Sequence, residues 1–210
     1  MLWAPAQAIT VNAEKLLKSI TLRFGPASAQ KFRDWQKLVE DARQLSSNEL
    51  KLQKINEFFN RRIQFMEDTE AWAQSDYWAT PMETLGQGKG DCEDFAIAKY
   101  FTLLAANVDM AQLRLIYVKA KLGGAASSIV QAHMVLAYYS TPDAEPEILD
   151  NLIGDIRPAS QRSDLTPVFS FNSQGIWGGV SASASAKSTG TNRLSRWQDL
   201  LTRAQAEGFE

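Results

Sequence analysis

The stretch Gly90-Asp91-Cys92-Glu93-Asp94-Phe95-Ala96-Ile97-Ala98-Lys99-Tyr100 decides how this chain is interpreted. It contains the only cysteine among 210 residues, and glycine-rich sequence precedes it while an apolar helical pattern follows. A cysteine in the first turn of a helix lies at the positive end of the helix dipole, which favours the thiolate. Cys92 is therefore a candidate nucleophile, although a lone cysteine is equally compatible with a small buried apolar side chain.

The composition is that of a globular domain with a real core. The apolar fraction is 45% and the formal net charge is −2, so nothing suggests a basic nucleic-acid surface. The sequence has no run of 18 apolar residues, and no membrane span is expected. The first ten residues lack the charged and apolar regions of an intact signal peptide. A single cysteine excludes an internal disulfide and leaves the redox compartment open.

Helical spacing of apolar residues dominates the first third of the chain. It predicts helices at 12–24, with Asn12 as N-cap, and at 27–44. A capping box at 46–49 predicts a third helix that buries residues from Leu50 to Phe59. These apolar stripes are interpreted as core packing.

Residues 64–90 carry few helical signals and are predicted to form an ordered loop before the Cys92 helix. The loop is dense in aromatic and acidic residues, among them Trp72, Asp76, Tyr77 and Trp78. Loops of this kind often line sites because a rigid scaffold positions them. The aromatic side chains of 72–78 are expected either to cover the core or to form an apolar docking surface, and Tyr77 or Trp78 is an alternative contributor to an oxyanion hole.

The periodicity changes after the Cys92 helix. Strands are predicted at 113–118, 133–139, 147–150, 168–171 and 176–177. Residues 181–191 are rich in Ser, Ala, Gly and Thr and predict a mobile loop, followed by a terminal helix over 193–206. Helices followed by a run of antiparallel strands predict an α+β fold.

The sequence also supplies the parts of a cysteine acyl-transfer site. His133 is the only histidine, and Asp150 follows it by 150 − 133 = 17 residues on the next predicted strand. Antiparallel pairing brings such residues side by side. Cys92 would attack a carbonyl, His133 would carry the proton, and Asp150 would orient the imidazole. The order of Cys, His and Asp on helix, strand and strand is typical of papain-like folds.

Three acids surround the nucleophile, namely Asp91, Glu93 and Asp94. They suit a helix N-terminus, but their negative charge should raise the pKa of Cys92 and oppose the thiolate. A bound cation would compensate, and carboxylate ligands favour Ca²⁺ over Zn²⁺. Asp76, or else main-chain carbonyls of its loop, would complete the metal shell.

The segments 76–85, 90–94, 133–136 and 148–152 together closely resemble the LapG family of bacterial transglutaminase-like cysteine proteinases. The resemblance implies a papain/transglutaminase-like fold in a single domain over 1–210. A helical part at 1–62 would precede a catalytic core at 63–180, with a loop and helix at 181–210. It implies a Cys92–His133–Asp150 triad, calcium dependence through the acids beside Cys92, and a periplasmic location. The implied substrate is a LapA-type surface adhesin, whose cleavage releases biofilm, and the implied partner is a LapD-type cyclic-di-GMP receptor.

Two other functions fit the same residues. A transglutaminase-like acyl transferase would use the same triad with an amine instead of water as the acceptor. A periplasmic binding module would carry the three residues without catalysis. Cleavage assays with and without a primary amine separate the first alternative from a peptidase, and the phenotype of Cys92→Ala separates the second.

Overall fold

A computed structural model describes residues 9–178 and 191–210, with the side chains of 191–194 left aside. Three helices open the fold: α1 (Ala13–Phe24), α2 (Ser28–Arg43) and α3 (Asn48–Arg62). Asn12 caps α1 as predicted, since its side chain accepts a hydrogen bond from the N–H of Lys15. The cap of α3 is Ser47, which accepts from the N–H of Leu50, so the predicted box starting at Ser46 is displaced by one residue.

The segment between α3 and Cys92 is more regular than the sequence suggested. It contains β1 (Gln64–Phe65), α4 (Asp68–Ala71), α5 (Pro81–Gln87) and β2 (Lys89–Gly90), and β1 pairs with β2 in parallel. The prediction of a loop was therefore wrong over much of this segment. Helix α5 forms because Thr80 and Glu83 make a capping box and Pro81 occupies the first turn, where its missing N–H costs nothing.

Helix α6 (Cys92–Ala105) is the centre of the molecule, and every one of its residues is buried. It packs between helices α3 and α5 on one side and strands β3 and β4 on the other. A helix that is buried on every side belongs in a core, and the charged residues Glu93, Asp94 and Lys99 of α6 are buried with it. This position fixes the N-terminus of α6, and with it Cys92, against the sheet.

The predicted antiparallel sheet is confirmed and has six strands in the order β6-β5-β4-β3-β7-β8. The strands are β3 (Leu113–Lys121), β4 (Val130–Tyr138), β5 (Glu147–Leu149), β6 (Arg157–Pro158), β7 (Leu165–Asn172) and β8 (Gly175–Gly178). Short 3-10 turns at Met110–Gln112 and Ala159–Gln161 flank the sheet. Helices in front of an antiparallel sheet make an α+β fold, as the sequence predicted.

The two faces of the sheet are both covered. Met134, Leu136 and Tyr138 of β4 belong to the main core with α6, whereas Val135 and Ala137 belong to a smaller cluster on the opposite face. This period of two is the expected alternation along a strand. The packing fixes the register of β4, and β4 is the strand that bears His133.

Helix α7 (Thr191–Glu207) closes the fold and packs Trp197 against Tyr100, Phe101 and Phe171. The terminal helix is therefore as predicted, while residues 181–190 of the expected mobile loop lie outside the described part of the chain. Leu50, expected inside, is 45% exposed because it lies in the first turn of α3. Among the described residues no helix is long and apolar enough to cross a membrane.

Candidate active site

Cys92 is the first residue of α6 and is largely shielded from solvent, at 9% exposure. Asp91 caps the helix by accepting from the N–H of Glu93 at 3.2 Å. The Cys92 thiol donates to Glu93 Oε2 at 2.7 Å, and the sulfur also accepts from the main-chain N–H of Met134 on β4. The sulfur therefore contacts the main chain of the strand one residue beyond His133.

The electrostatic environment opposes ionisation of this thiol. Burial, followed by the negative charges of Glu93 and Asp91, raises the pKa of Cys92 well above its ordinary value. The N–H of Met134 acts in the opposite sense but does not offset them. The effect expected from the neighbouring acids is therefore present, and it adds to the larger effect of burial on the pKa of Cys92.

His133 and Asp150 meet as the sequence predicted. His133 Nε2 lies 2.7 Å from Asp150 Oδ1, and both side chains are buried. The second carboxylate oxygen accepts from Arg162 Nη2 at 2.7 Å, a pair with 1% and 0% side-chain exposure. Burial alone would raise the pKa of Asp150, but the hydrogen bond and charge of His133, with bonds from Leu152 and Arg162, lower it to about 2. Asp150 is thus a carboxylate that orients the imidazole.

Sequence reasoning missed Arg162, which lies after the 3-10 turn at Ala159–Gln161. Its guanidinium also donates twice to Asp164, from Nε at 3.0 Å and from Nη2 at 2.8 Å. An arginine two residues before an aspartate is too common a pattern to identify a buried site. Only the return of the chain from β6 to β7 shows that this arginine reaches Asp150.

The main chain of Asp150 is held as firmly as its side chain. Its carbonyl accepts from Asn60 Nδ2 at 2.8 Å and from Lys99 Nζ at 3.2 Å, while Leu152 N–H donates to Asp150 Oδ1 at 3.0 Å. Burial lowers the pKa of Lys99 to about 7, although the charge of Asp150 acts the other way. Helices α3 and α6 therefore both fix the residue that orients His133.

A cluster of carboxylates lies next to Cys92. Asp68, Asp91 and Asp94 each place a carboxylate oxygen within 4.8 Å of the other two, and Asp68 is a residue that sequence reasoning missed. Burial first, and then the neighbouring negative charges, raise the pKa of Asp91 to about 10. Burial also raises the pKa of Asp68 to about 6, despite a hydrogen bond from the N–H of Tyr77. A bound cation would offset the repulsion that contributes to these raised pKa values.

The donor set fits calcium in its chemistry. Calcium takes hard oxygen ligands, and these three side chains offer only carboxylate oxygens. Asp68 Oδ1 is buried and has no hydrogen-bond partner among the described residues, so it is available as a ligand. The residues present therefore fit a bound divalent cation.

Two of the predicted metal ligands lie beside this cluster. Asp76 lines the cleft that opens beside Cys92, and its carboxylate pairs with Arg196 at 2.8 Å. Glu93 forms a second group with Asp91 and Cys92, and it accepts from the hydroxyl of Tyr117 at 2.9 Å. The assignment of Asp76, Asp91, Glu93 and Asp94 as ligands stays a prediction, to which the structure adds Asp68.

The aromatic segment supports the acid cluster from within. Trp72 Nε1 and the N–H of Ala79 donate to the carboxylate of Asp94 at 3.1 and 2.8 Å. Trp78 is 2% exposed and stacks on Phe171, and the hydroxyl of Tyr77 donates to Glu83. Covering the core, the first of the two interpretations, thus describes Trp78, which offers almost no side-chain surface to a partner.

A cleft of about 250 Å³ opens at the cysteine. Cys92, Asp91 and Tyr117 line it together with Phe65 and Ala132. It brings the nucleophile, the acid cluster and the start of β4 to one place. A peptide entering this cleft would contact all three.

Known proteins resemble this chain in both sequence and fold. Residues 24–168 match the family described as bacterial transglutaminase-like cysteine proteinase. The chain is similar to Legionella pneumophila LapG, with 37% identity and a TM-score of 0.75 over 94% of this chain and 99% of that one. The EGTA-treated form of the Legionella protein is 38% identical with a TM-score of 0.77, over 94% of this chain and 100% of that one. The calcium-bound form is 37% identical with a TM-score of 0.74, over 92% of this chain and 99% of that one. The search of curated proteins gives no match.

Proposed function

Because the chain belongs to the bacterial transglutaminase-like cysteine proteinase family, we propose that it is a calcium-dependent cysteine endopeptidase with Cys92, His133 and Asp150 as its catalytic residues. The observation that carries the proposal is the buried His133–Asp150 pair at 2.7 Å, on the strand whose Met134 N–H contacts the Cys92 sulfur. The family supports a cysteine peptidase, and the pairing supports the choice of these three residues for the reaction.

The reaction follows from these positions. His133 removes the thiol proton of Cys92, and the sulfur forms a bond to the carbonyl carbon of the scissile amide. The imidazolium returns that proton to the leaving nitrogen as the C–N bond breaks, leaving a thioester on Cys92. Water then attacks the thioester with His133 as base. The acid product and the free thiol complete the cycle.

Two further features assist the same steps. Asp150 occupies Nε2 of His133, so Nδ1 is the ring nitrogen that exchanges the proton with Cys92. The main-chain N–H of Cys92 is at the N-terminus of α6, where it can donate to the oxygen of the tetrahedral intermediate. Arg162 pairs with Asp150 and adds to the effects of His133 and Leu152 that keep Asp150 ionised, and the ionised carboxylate fixes the tautomer of His133.

Calcium belongs to the proposal through the acid cluster. A bound Ca²⁺ supplies positive charge beside Cys92 and offsets the field of the carboxylates. Asp68, Asp91 and Asp94 are the residues that would hold it, with Glu93 adjacent. Tyr77 and Ala79 bond two of these acids through their N–H groups, so the 72–80 segment would be stiffened with the site.

The biological setting is proposed from similarity to LapG. The substrate would be the N-terminal region of a LapA-type surface adhesin, whose cleavage releases biofilm. A LapD-type cyclic-di-GMP receptor in the inner membrane would sequester the enzyme through its periplasmic domain. The periplasm is the compartment in which all three proteins would meet.

The test incubates the protein with the N-terminal region of a candidate adhesin, with Ca²⁺ and with a chelator. We expect cleavage only with Ca²⁺, weak restoration by Mg²⁺, and none with Cys92→Ala or His133→Ala. Adding a primary amine tests the acyl-transferase alternative, since an amide product would replace part of the acid. Full activity of a folded His133→Ala variant would refute the triad, because the chain has no other histidine.

A further inference from the structure

One edge of strand β4 is open beside the nucleophile. Strand β3 pairs with β4 over its whole length, from Val130 to Tyr138. On the opposite side β5 pairs with β4 only from Leu136 to Tyr138. The first half of β4 therefore has one strand neighbour, and its other side faces the cleft through Ala132.

The direction of the main-chain groups follows from alternation along the strand. The C=O of Ile129 accepts from Leu122, and the N–H of Tyr139 donates to Gln112, so odd-numbered residues bond toward β3. The N–H of Met134 instead points away from β3, to the Cys92 sulfur. Because N–H and C=O of one residue share a side and alternate with the next residue, Val130 also directs both groups to the open edge.

Ala132 has the same orientation, and the residue is exposed. Within residues 9–178 and 191–210, no main-chain hydrogen bond outside the strand ladders involves Val130 or Ala132. Val130 is 54% exposed and Ile129 is 64% exposed. An unpaired row of N–H and C=O groups on an exposed edge is a template for another strand.

The edge is open because the chain leaves the sheet after β5. The N–H of Leu152 donates to Asp150 Oδ1, which forms a tight turn, and Asn56 Nδ2 then holds the C=O of Gly154 at 2.8 Å. These bonds draw the segment toward α3 instead of along β4. The residue that orients His133 thus also ends β5 and uncovers the edge.

From this geometry we propose that the protein substrate binds as an extended strand added to the β4 edge at Val130 and Ala132. Met134 continues this edge to the Cys92 sulfur, so a strand paired with Ala132 runs directly to the nucleophile. Phe65, 46% exposed, lines the other side of the cleft. The inference rests on the proposed peptidase function and names how its substrate is held, with affinity from main-chain hydrogen bonds.

The first test uses synthetic peptides that span the site cleaved in the adhesin, each methylated at one main-chain nitrogen. Methylation removes one N–H, and only alternate residues of an added strand direct their N–H to β4. We expect roughly a tenfold loss in kcat/KM at positions two residues apart and little change at the position between them. Uniform losses, or none, would overturn the proposal.

Measuring the Kd of the same peptides for the Cys92→Ala variant tests strand addition separately from the proposed peptidase activity. An alternating pattern in Kd without turnover by the wild-type protein would leave the edge in place and refute the peptidase. Turnover without alternation would do the reverse. A protein variant supplies the matching observation: Val130→Pro removes an edge N–H without touching the β3 ladder, and Ser128→Pro is its control in the preceding turn. We expect KM to rise with Val130→Pro only, and equal KM values would count against strand addition.

Discussion

Removing the guanidinium of Arg162 is the most direct way to test how the His133–Asp150 pair is maintained. Arg162 and Asp150 form an ion pair at 2.7 Å with side-chain exposures of 1% and 0%. The variant Arg162→Met keeps the volume and the unbranched stem but removes the charge. Asp150 then remains buried with His133 and the N–H of Leu152 as its partners. We expect the variant to fold with reduced stability and a misoriented imidazole.

The magnitude of the loss is set by the burial of the ion pair. Removing one partner of a buried ion pair typically costs about 3–5 kcal/mol, and the remaining hydrogen bonds of Asp150 place this case at the lower end. The pKa of Asp150 is about 2 instead of the ordinary 3.8, which at about 1.4 kcal/mol per unit stabilises the fold by about 2.5 kcal/mol for all partners of Asp150 together, and His133 contributes more of this than Arg162 does. Because the folded pKa is depressed, that stabilisation is present above pH 4 and is lost toward pH 2. The predicted loss for Arg162→Met is about 3 kcal/mol at pH 7, narrowing as pH falls.

The assay is urea unfolding followed by tryptophan fluorescence from pH 7 down to pH 3. Arg157→Met is the matched control, since Arg157 pairs with Asp155 on the surface and should cost under about 1 kcal/mol. In the cleavage assay kcat should fall with little change in KM, because orientation and not binding is disturbed. If Arg162→Met were as stable and as active as Arg157→Met at pH 7, the role given to this ion pair would be wrong.

Three further outcomes are expected. Asp68→Asn should weaken Ca²⁺ binding in titration calorimetry more than Asp76→Asn does, because only Asp68 lies in the compact acid cluster; the opposite ranking would restore the assignment made from sequence. Arg203→Met removes the side chain that donates to the Trp78 carbonyl at 2.6 Å. The variant should lower Tm by several degrees and weaken Ca²⁺ binding, because the 72–80 segment is held less firmly; an unchanged Tm and an unchanged Ca²⁺ affinity would show that Arg203 does not support this segment. Alkylation of Cys92 by iodoacetamide should move to lower pH when Ca²⁺ is added, and identical pH profiles would separate the metal from the nucleophile.

The features of the fold and of the site that the sequence predicts are those encoded by residues close together in the chain. Asn12 is a cap residue before an apolar stripe, and Cys92 follows glycine-rich sequence and starts a helix. The His133–Asp150 pair is nearly local as well, because one short connection separates β4 from β5, and Asp150 directly follows the paired residue Leu149. Short-range chemistry and strand periodicity were sufficient for these residues.

The residues that sequence did not predict depend on long-range packing. Asp68 precedes Asp91 by 91 − 68 = 23 residues, and the parallel pairing of β1 with β2 brings their regions together. Arg162 reaches Asp150 only because the chain returns from β6 to β7. Helix α5 is a different case. Its Thr80–Glu83 capping box is present in the sequence, but the aromatic residues before it favoured the prediction of a loop.

The position of the acids has a mechanistic consequence that joins the two halves of the site. The Glu93 carboxylate accepts one hydrogen bond from the Cys92 thiol and another from the hydroxyl of Tyr117. The resting sulfur is therefore held as a thiol in an ordered network. Asp91 caps the same helix and contributes to the cation cluster, which means that the cap, the cation site and the nucleophile share adjacent residues. Under the proposed calcium dependence, a cation bound at Asp91 would act on Cys92 through one peptide unit, and no distant conformational change would be needed. We therefore expect the Cys92 thiol to ionise more readily where calcium is available and to stay protonated where it is not.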